Sequence, residues 1–252
     1  MSEKCNKNVV LVWDSGVGGL SVLKSLLHSL GGVKFVYYAD VDNAPYGNKS
    51  VEELREKVLS KFDDAIRKYK PDCVVLACNT ITACLVDDIR DKYKNIKIVG
   101  TEPAIKPAIR EGKDILLMMT PTTFRHCELV GILRGSSINT YWVLDEDLAL
   151  FIQNNFENRE YIARYLNRYL SKYKDKKLSV VLGCTHYVLI KDIIGEILGK
   201  KVKILDSTIG VTNRVKQLLD VQSCGLNECE IVGDKVVGEI WSALRGSELC
   251  VE

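Results

Sequence analysis

Apolar residues along this chain gather in short runs, and the stretches between the runs carry helical spacing. The runs 9–13 (VVLVW), 34–39 (KFVYYA), 73–77 (CVVLA), 96–99 (IKIV), 115–119 (ILLMM), 141–144 (YWVL), 179–183 (SVVLG) and 202–205 (VKIL) each have strand length and composition. Between the first two, Leu20, Leu23, Leu26, Leu27 and Leu30 recur at helix spacing, with Gly31-Gly32 as a stop. Ser50 followed by Glu53 predicts a capping box that opens a helix running to about Tyr69. Such alternation predicts an α/β fold of mainly parallel sheets flanked by helices.

The pattern repeats. An offset of 106 residues, the separation of Cys78 from Cys184, lays NVVLVWD (8–14) on DILLMMT (114–120). It also lays FVYYAD (35–40) on YWVLDE (141–146) and IKIVG (96–100) on VKILD (202–206). Four strands in one constant register predict an internal duplication. Two pseudo-symmetric α/β lobes would then present the carboxyl ends of their strands to a shared crevice, where such sheets bind ligands. The expected boundaries are 1–100 for the first lobe and 101–208 for the second. Residues 209–252, which have no counterpart in the repeat, read as helices 209–220 and 234–245 around a short segment near 229–232. They are expected to complete the first lobe.

The chain has 252 residues, enough to bury a substantial core without covalent staples. A formal net charge of +2, with Lys and Arg scattered, does not point to nucleic acid. No signal-peptide core or membrane-spanning run is visible, so the expected location is cytoplasmic. Nine cysteines are present, none in a C-x-x-C, and the three histidines (His28, His126, His186) lack zinc-finger spacing. Cys73, Cys84 and Cys127 read as small core hydrophobes. Cys224 and Cys229 are close enough in sequence to pair.

Cys78 and Cys184 stand apart. Each follows a strand (VVLACNT at 74–80, VVLGCTH at 180–186) and precedes small polar residues. At such a junction, helix-end amides favour a thiolate. Either thiol alone reads as a buried core cysteine, but a matched pair facing across a crevice reads as a redox disulfide, a metal site or paired proton carriers. Metal is disfavoured, because adequate third and fourth ligands do not accompany them. In WDSGVGG (13–19) Asp14 ends a strand, and the glycines permit close approach of a ligand, although Asp14 could merely cap a turn. Ser21 stands where a dinucleotide fingerprint needs its third glycine. TPTT (120–123) occupies the duplicate position and offers hydroxyls and amides suited to a carboxylate. DNAPYGNKS (42–50) is a second polar loop after a strand, and His186 is placed to assist Cys184.

Together DSGVGG, PYGNKS, ACNT and LGCTHY closely resemble the glutamate racemases of the aspartate/glutamate racemase superfamily, over residues 9 to about 215. The resemblance implies two pseudo-symmetric lobes and a cofactor-independent enzyme that interconverts L- and D-glutamate, with the D-isomer going to cell-wall synthesis. It further implies a homodimer with glutamate as its small-molecule partner, and neither nucleic acid nor membrane as one. Cys78 and Cys184 would be the acid/base thiols, supported by Asp14 and His186 respectively. Ser15, Pro45, Tyr46, Gly47, Asn79, Thr80, Thr120, Thr123 and Thr185 would bind substrate alongside Asp14 and His186. The family also places a glutamate after a second-lobe strand; here VLDEDLALF offers Asp145, Glu146 and Asp147, and Glu146 is chosen because it duplicates Asp40. An aspartate or broad-specificity racemase, a thiol redox protein and a non-catalytic amino-acid-binding protein are the alternatives.

Overall fold

The computed structural model describes residues 8–219 and 225–246. Every expected strand forms within one residue of its predicted bounds: β1 (Val9–Asp14), β2 (Lys34–Ala39), β3 (Cys73–Leu76), β4 (Lys97–Gly100), β5 (Asp114–Met119), β6 (Thr140–Leu144), β7 (Leu178–Gly183) and β8 (Lys203–Leu205). The segment near 229–232 is a further strand, β9 (Glu228–Val232). The first sheet runs β4-β3-β1-β2-β9 and the second β8-β7-β5-β6, with parallel pairing throughout. The duplicated strands therefore occupy the same order in both sheets.

Register follows the duplication too. Val9 opposes Lys34 in the first sheet, and Ile115 opposes Thr140 in the second, at the same offset. Cys73 opposes Lys97, as Ser179 opposes Lys203. The central pairs differ by one residue, with Val10 opposite Cys73 but Leu116 opposite Val180. Interior strands β3 and β7 are buried along their whole length, whereas edge strands β4 and β8 are partly exposed. This is the pattern of a parallel sheet covered on both faces.

Alternate residues feed separate cores. Val10, Val12, Phe35, Tyr37 and Val75 pack against helix Leu20–Ser29 and the C-terminal helices Thr208–Leu219 and Lys235–Gly246. Leu11, Trp13, Val36, Val74 and Leu76 face helices Val51–Tyr69 and Asn79–Lys92 on the other side. The C-terminal stretch is also tied polar-to-polar: Lys24 Nζ donates to Leu244 O at 2.7 Å, and the hydroxyls of Ser25 and Thr212 lie 2.8 Å apart. In the second sheet Leu116, Met118, Val180 and Leu182 form one core, and Ile115, Leu117, Met119 and Val181 the other.

Local signals hold as well. Ser50 Oγ accepts from Glu53 N at 3.2 Å, and Glu53 Oε2 accepts from Ser50 N at 3.1 Å, which completes the capping box. That helix ends at Tyr69, where Lys70 turns left-handed at φ 46°. The helix from Leu20 stops at Ser29, just before the glycine pair. Cys73 is fully buried, while Cys84 and Cys127 are half-buried. Cys224 lies outside the described residues, and the question of whether it pairs with Cys229 falls there with it.

Leu11 and Leu117 occupy duplicate positions, both fully buried, in different core clusters. Replacing either by Ala should lower the unfolding free energy by about 2–5 kcal/mol. Urea denaturation of the double variant should show the two losses adding within about 0.5 kcal/mol, since they share no partners. A loss below about 1 kcal/mol at either site would contradict the core assignment.

Candidate active site

Parallel strands deliver their carboxyl ends to one edge of each sheet, and the chemistry-bearing residues sit there. Asp14 is the last residue of β1, and Cys78 lies two residues past β3 as the N-cap of helix Asn79–Lys92. In the second lobe Thr120 follows β5 directly, and Cys184 follows β7 as the N-cap of the short helix Thr185–Val188. Both thiols are buried but line one crevice from opposite lobes. Ser15, Pro45, Tyr46, Gly47, Cys78 and Thr80 supply the first lobe's wall; Thr120, Ala149, Leu150, Gln153, Cys184 and His186 supply the second's.

The lobes meet through reciprocal contacts. Thr185 Oγ1, next to Cys184, donates to Asp14 Oδ2 at 3.2 Å. In return Thr80, two residues after Cys78, reaches Thr120 and Thr123, with hydroxyl oxygens 3.3 and 2.9 Å away. Thr120 and Thr123 are themselves 2.8 Å apart, and Thr120 Oγ1 caps its helix by accepting from Thr123 N. Thr122 N also donates to Gly47 O across the gap at 3.2 Å. Glycine is required at two of these approaches. A Cβ on Gly18 would lie 2.5 Å from Thr185 Oγ1, and one on Gly47 would lie 2.6 Å from Thr120 Cγ2.

The Pro45–Gly47 loop is anchored from below. Tyr46, almost fully buried, donates its hydroxyl proton to Asp40 Oδ2 at 2.7 Å and accepts from Trp13 Nε1 at 3.2 Å. Lys61 Nζ donates to the other Asp40 oxygen at 2.9 Å, which balances that buried charge. Four expected site residues stand behind the wall. Asp14 is held by Thr185 and by Gly16 N, whose donation to Oδ1 spans 2.8 Å. Thr123 and Thr185 act through the bonds given above. Asn79 Nδ2 donates to Thr101 O at 2.9 Å, and its buried Oδ1 accepts no hydrogen bond among the described residues.

Ser15 Oγ lies 3.9 Å from Cys78 Sγ and the Asp14 charge acts on the same thiol, while Asp14 Oδ2 accepts from Thr185 of the opposite lobe. One placement differs from the sequence reading. Glu146 is solvent-exposed and lines no part of the crevice, and Asp147 is exposed as well. Asp145 is buried, but it accepts from Asp147 N, Leu148 N and the Tyr165 hydroxyl rather than facing the thiols. From the segment that follows, helix Leu148–Asn154, the polar residue that reaches the crevice is Gln153. Its signal was weak: a polar residue four positions after apolar Ala149 on one helix face.

Burial dominates the electrostatics. It pushes the Cys78 thiol up to about 11, with the Asp14 charge adding to the rise, and it drives Cys184 higher still. Burial therefore favours the protonated form of both thiols. The same burial raises Asp14 to about 6, against the backbone donors Gly16 and Gly19, and lowers His186 to about 4. These last two shifts have opposite consequences for stability. Between about pH 4 and 6 the fold holds a proton on Asp14 that the unfolded chain has released, so acidification stabilises. Between about pH 6.5 and 4 the unfolded chain binds a proton on His186 that the fold refuses, so acidification destabilises.

Each of these effects is on the order of 3 kcal/mol at full extent, and they nearly cancel. His186→Asn should unmask Asp14. Measured by urea denaturation, the variant's stability relative to the parent should improve by about 2 kcal/mol between pH 7 and pH 5. A difference that stays constant over that range would contradict the buried, neutral state of His186.

No family model matches the chain. Curated relatives do. The glutamate racemase of Clostridium acetobutylicum is 37% identical over 219 residues, covering 84% of each chain. Among solved structures, Escherichia coli glutamate racemase, in complex with L-glutamate and the activator UDP-MurNAc-Ala, superposes with a TM-score of 0.77 at 26% identity, covering 95% of this chain and 94% of that one. A glutamate racemase isoform from Bacillus anthracis shares the fold, with a TM-score of 0.78 over 97% of both chains at 23% identity. On the identity and coverage of its curated relatives, this chain belongs to the glutamate racemase family.

Proposed function

We propose that the chain interconverts L- and D-glutamate without a cofactor, using Cys78 and Cys184 as proton carriers on opposite faces of the α-carbon. The observation that carries this reading is the matched pair of thiols, each at a strand-to-helix turn of its own lobe and both lining one crevice. Racemisation needs a base on one face and an acid on the other. A thiolate removes the α-proton, the carbanion forms, and the opposite thiol delivers its own proton to the other face. The two sulfurs then hold exchanged protonation states, which solvent exchange resets.

The α-carbanion is the high-energy species, so charge developing on the α-carboxylate must be met by donors already in place. The crevice supplies them at Thr80 and Thr120. Thr123, Asn79 and Thr185 hold that wall in position. Ser15 and the Pro45–Gly47 loop contribute polar groups for the remaining substrate atoms. Because burial favours the protonated form of both thiols, the thiolate must be favoured by what binds. The substrate ammonium brings an opposite charge beside sulfur, which lowers a thiol's pKa. Asp14, with its carboxyl near pH 6, can exchange protons in the neutral range.

Chiral assay of purified Cys78→Ala and Cys184→Ala tests this reading. Each variant should fold and should lose racemisation in both directions, by at least the 10²–10⁴-fold typical of general acid/base groups. Near-normal turnover in either would rule out the two-thiol mechanism. Aspartate offered to the parent enzyme should turn over far more slowly than glutamate, and equal rates would make it a broad-specificity racemase.

A further inference from the structure

The second lobe carries a sequence repeat that the crevice does not use. Tyr161, Tyr165, Tyr169 and Tyr173 recur at every fourth position, and a cation follows each by three: Arg164, Arg168, Lys172 and Lys176. They lie along helix Arg159–Leu170, the short turn Ser171–Tyr173 that continues it, and the residues just beyond. All four cations are exposed, whereas Ile162, Leu166 and Leu170 bury the helix's inner face completely.

The structure lays these cations on the rings. Arg164 sits 5.8 Å from the Tyr161 ring centre, and Arg168 sits 4.0 Å from that of Tyr165 and 5.6 Å from that of Tyr169. Lys172 lies 5.1 Å from the Tyr173 centre, and Lys176 lies 5.3 Å from it and 5.5 Å from that of Tyr141. Each is a cation–π distance. Surface cations elsewhere meet carboxylates, as Arg55 meets Asp88 and Lys92 meets Asp63. On this helix Arg159 meets Asp192 and Glu196, and Arg164 meets Glu160. Among the described residues no carboxylate pairs with Arg168, Lys172, Lys174, Lys176 or Lys177. Those five cations share residues 168–177 with one anion, Asp175, a concentration that the chain's net charge of +2 conceals.

We propose that this strip is a docking surface for the phosphodiester backbone of nucleic acid, bound without regard to sequence. A cation resting on a ring is already partly ordered, and its outward N–H groups remain free for phosphate. The rings themselves are covered by the cations, so they offer bases no stacking platform, and the contact reads charge alone. An anionic membrane fits less well, because the helix keeps no aliphatic face to insert. None of the residues that line the crevice falls between 159 and 177, so the strip and the crevice are separate.

Fluorescence anisotropy of two labelled DNA duplexes of unrelated sequence, about 20 base pairs each, tests the proposal. The parent should bind both alike, with Kd of about 1–100 µM near 100 mM salt and a log–log salt slope of about −3 to −4. The triple variant Arg168→Gln, Lys172→Gln, Lys176→Gln should bind at least about 10-fold more weakly and flatten that slope by about 2–3. A control triple, Lys70→Gln, Lys94→Gln, Lys106→Gln, removes the same charge from exposed positions elsewhere and should stay within about twofold of the parent. Thermal melts followed by circular dichroism should match the parent for both triples. No saturable binding by the parent, or an equal loss in the control triple, would overturn the proposal. So would tighter binding to phosphatidylglycerol vesicles than to either duplex, which would make the strip a membrane contact.

Discussion

The crevice depends on a reciprocal contact between the lobes. Each lobe's first strand ends in a turn that is held by a residue just after the other lobe's cysteine. Asp14 is held by Thr185, and Thr120 is held by Thr80. This arrangement makes the separation of the two thiols a property of the interface rather than of either lobe. Hydroxyl contacts of this kind are directional and individually modest, about 1 kcal/mol each. They are nevertheless effective here, because Gly18 and Gly47 let the backbones approach closely enough for them to form. The rigid sheets behind them supply the stiffness. Between them, strands and turns can fix a narrow slot in which a flat carbanion would meet sulfur on both sides.

The duplication is broken at the titratable groups. Asp14 has Thr120 as its counterpart, and His186 has Thr80. Only one carboxylate and one imidazole therefore enter a site that is otherwise built twice. His186 contacts Cys184 directly, whereas Asp14 bridges the lobes, accepting from Gly16 N of its own lobe and from Thr185 of the other, and Cys78 has Ser15 as a near neighbour. The two thiols thus sit in unequal surroundings. Under the proposed two-thiol reading the rate constants of the two directions are free to differ, while the equilibrium between enantiomers stays fixed at one by symmetry.

Much of this was legible in the sequence because the signals are local or repeated. Strands announced themselves as β-branched runs, the helix from Val51 by its capping box, and the thiols by a matched context at constant offset. Gln153 was not legible. It sits in a helix whose rotation about its axis is set by packing, and an acidic loop just upstream offered a more obvious candidate in Glu146. That loop instead turns Asp145 inward to cap the helix and leaves Glu146 in solvent. The partner of Asp14 was equally hidden, because Thr185 lies 171 residues away in the chain. Such pairings arise only when the lobes dock, and no periodicity encodes them.

The central claim is that two sulfurs address opposite faces of one carbon, and isotope exchange tests it most directly. L-glutamate is incubated with the enzyme in deuterium oxide, and the reaction is stopped after a small fraction has converted. If one thiolate removes protium and a second, solvent-equilibrated thiol delivers deuterium, the D-glutamate formed carries deuterium at the α-carbon almost completely. The L-glutamate left behind stays nearly unlabelled, and the mirror result holds when the reaction starts from D-glutamate. Substantial protium retained in the product would mean that a single base carries the proton from one face to the other, and the two-thiol account would fail.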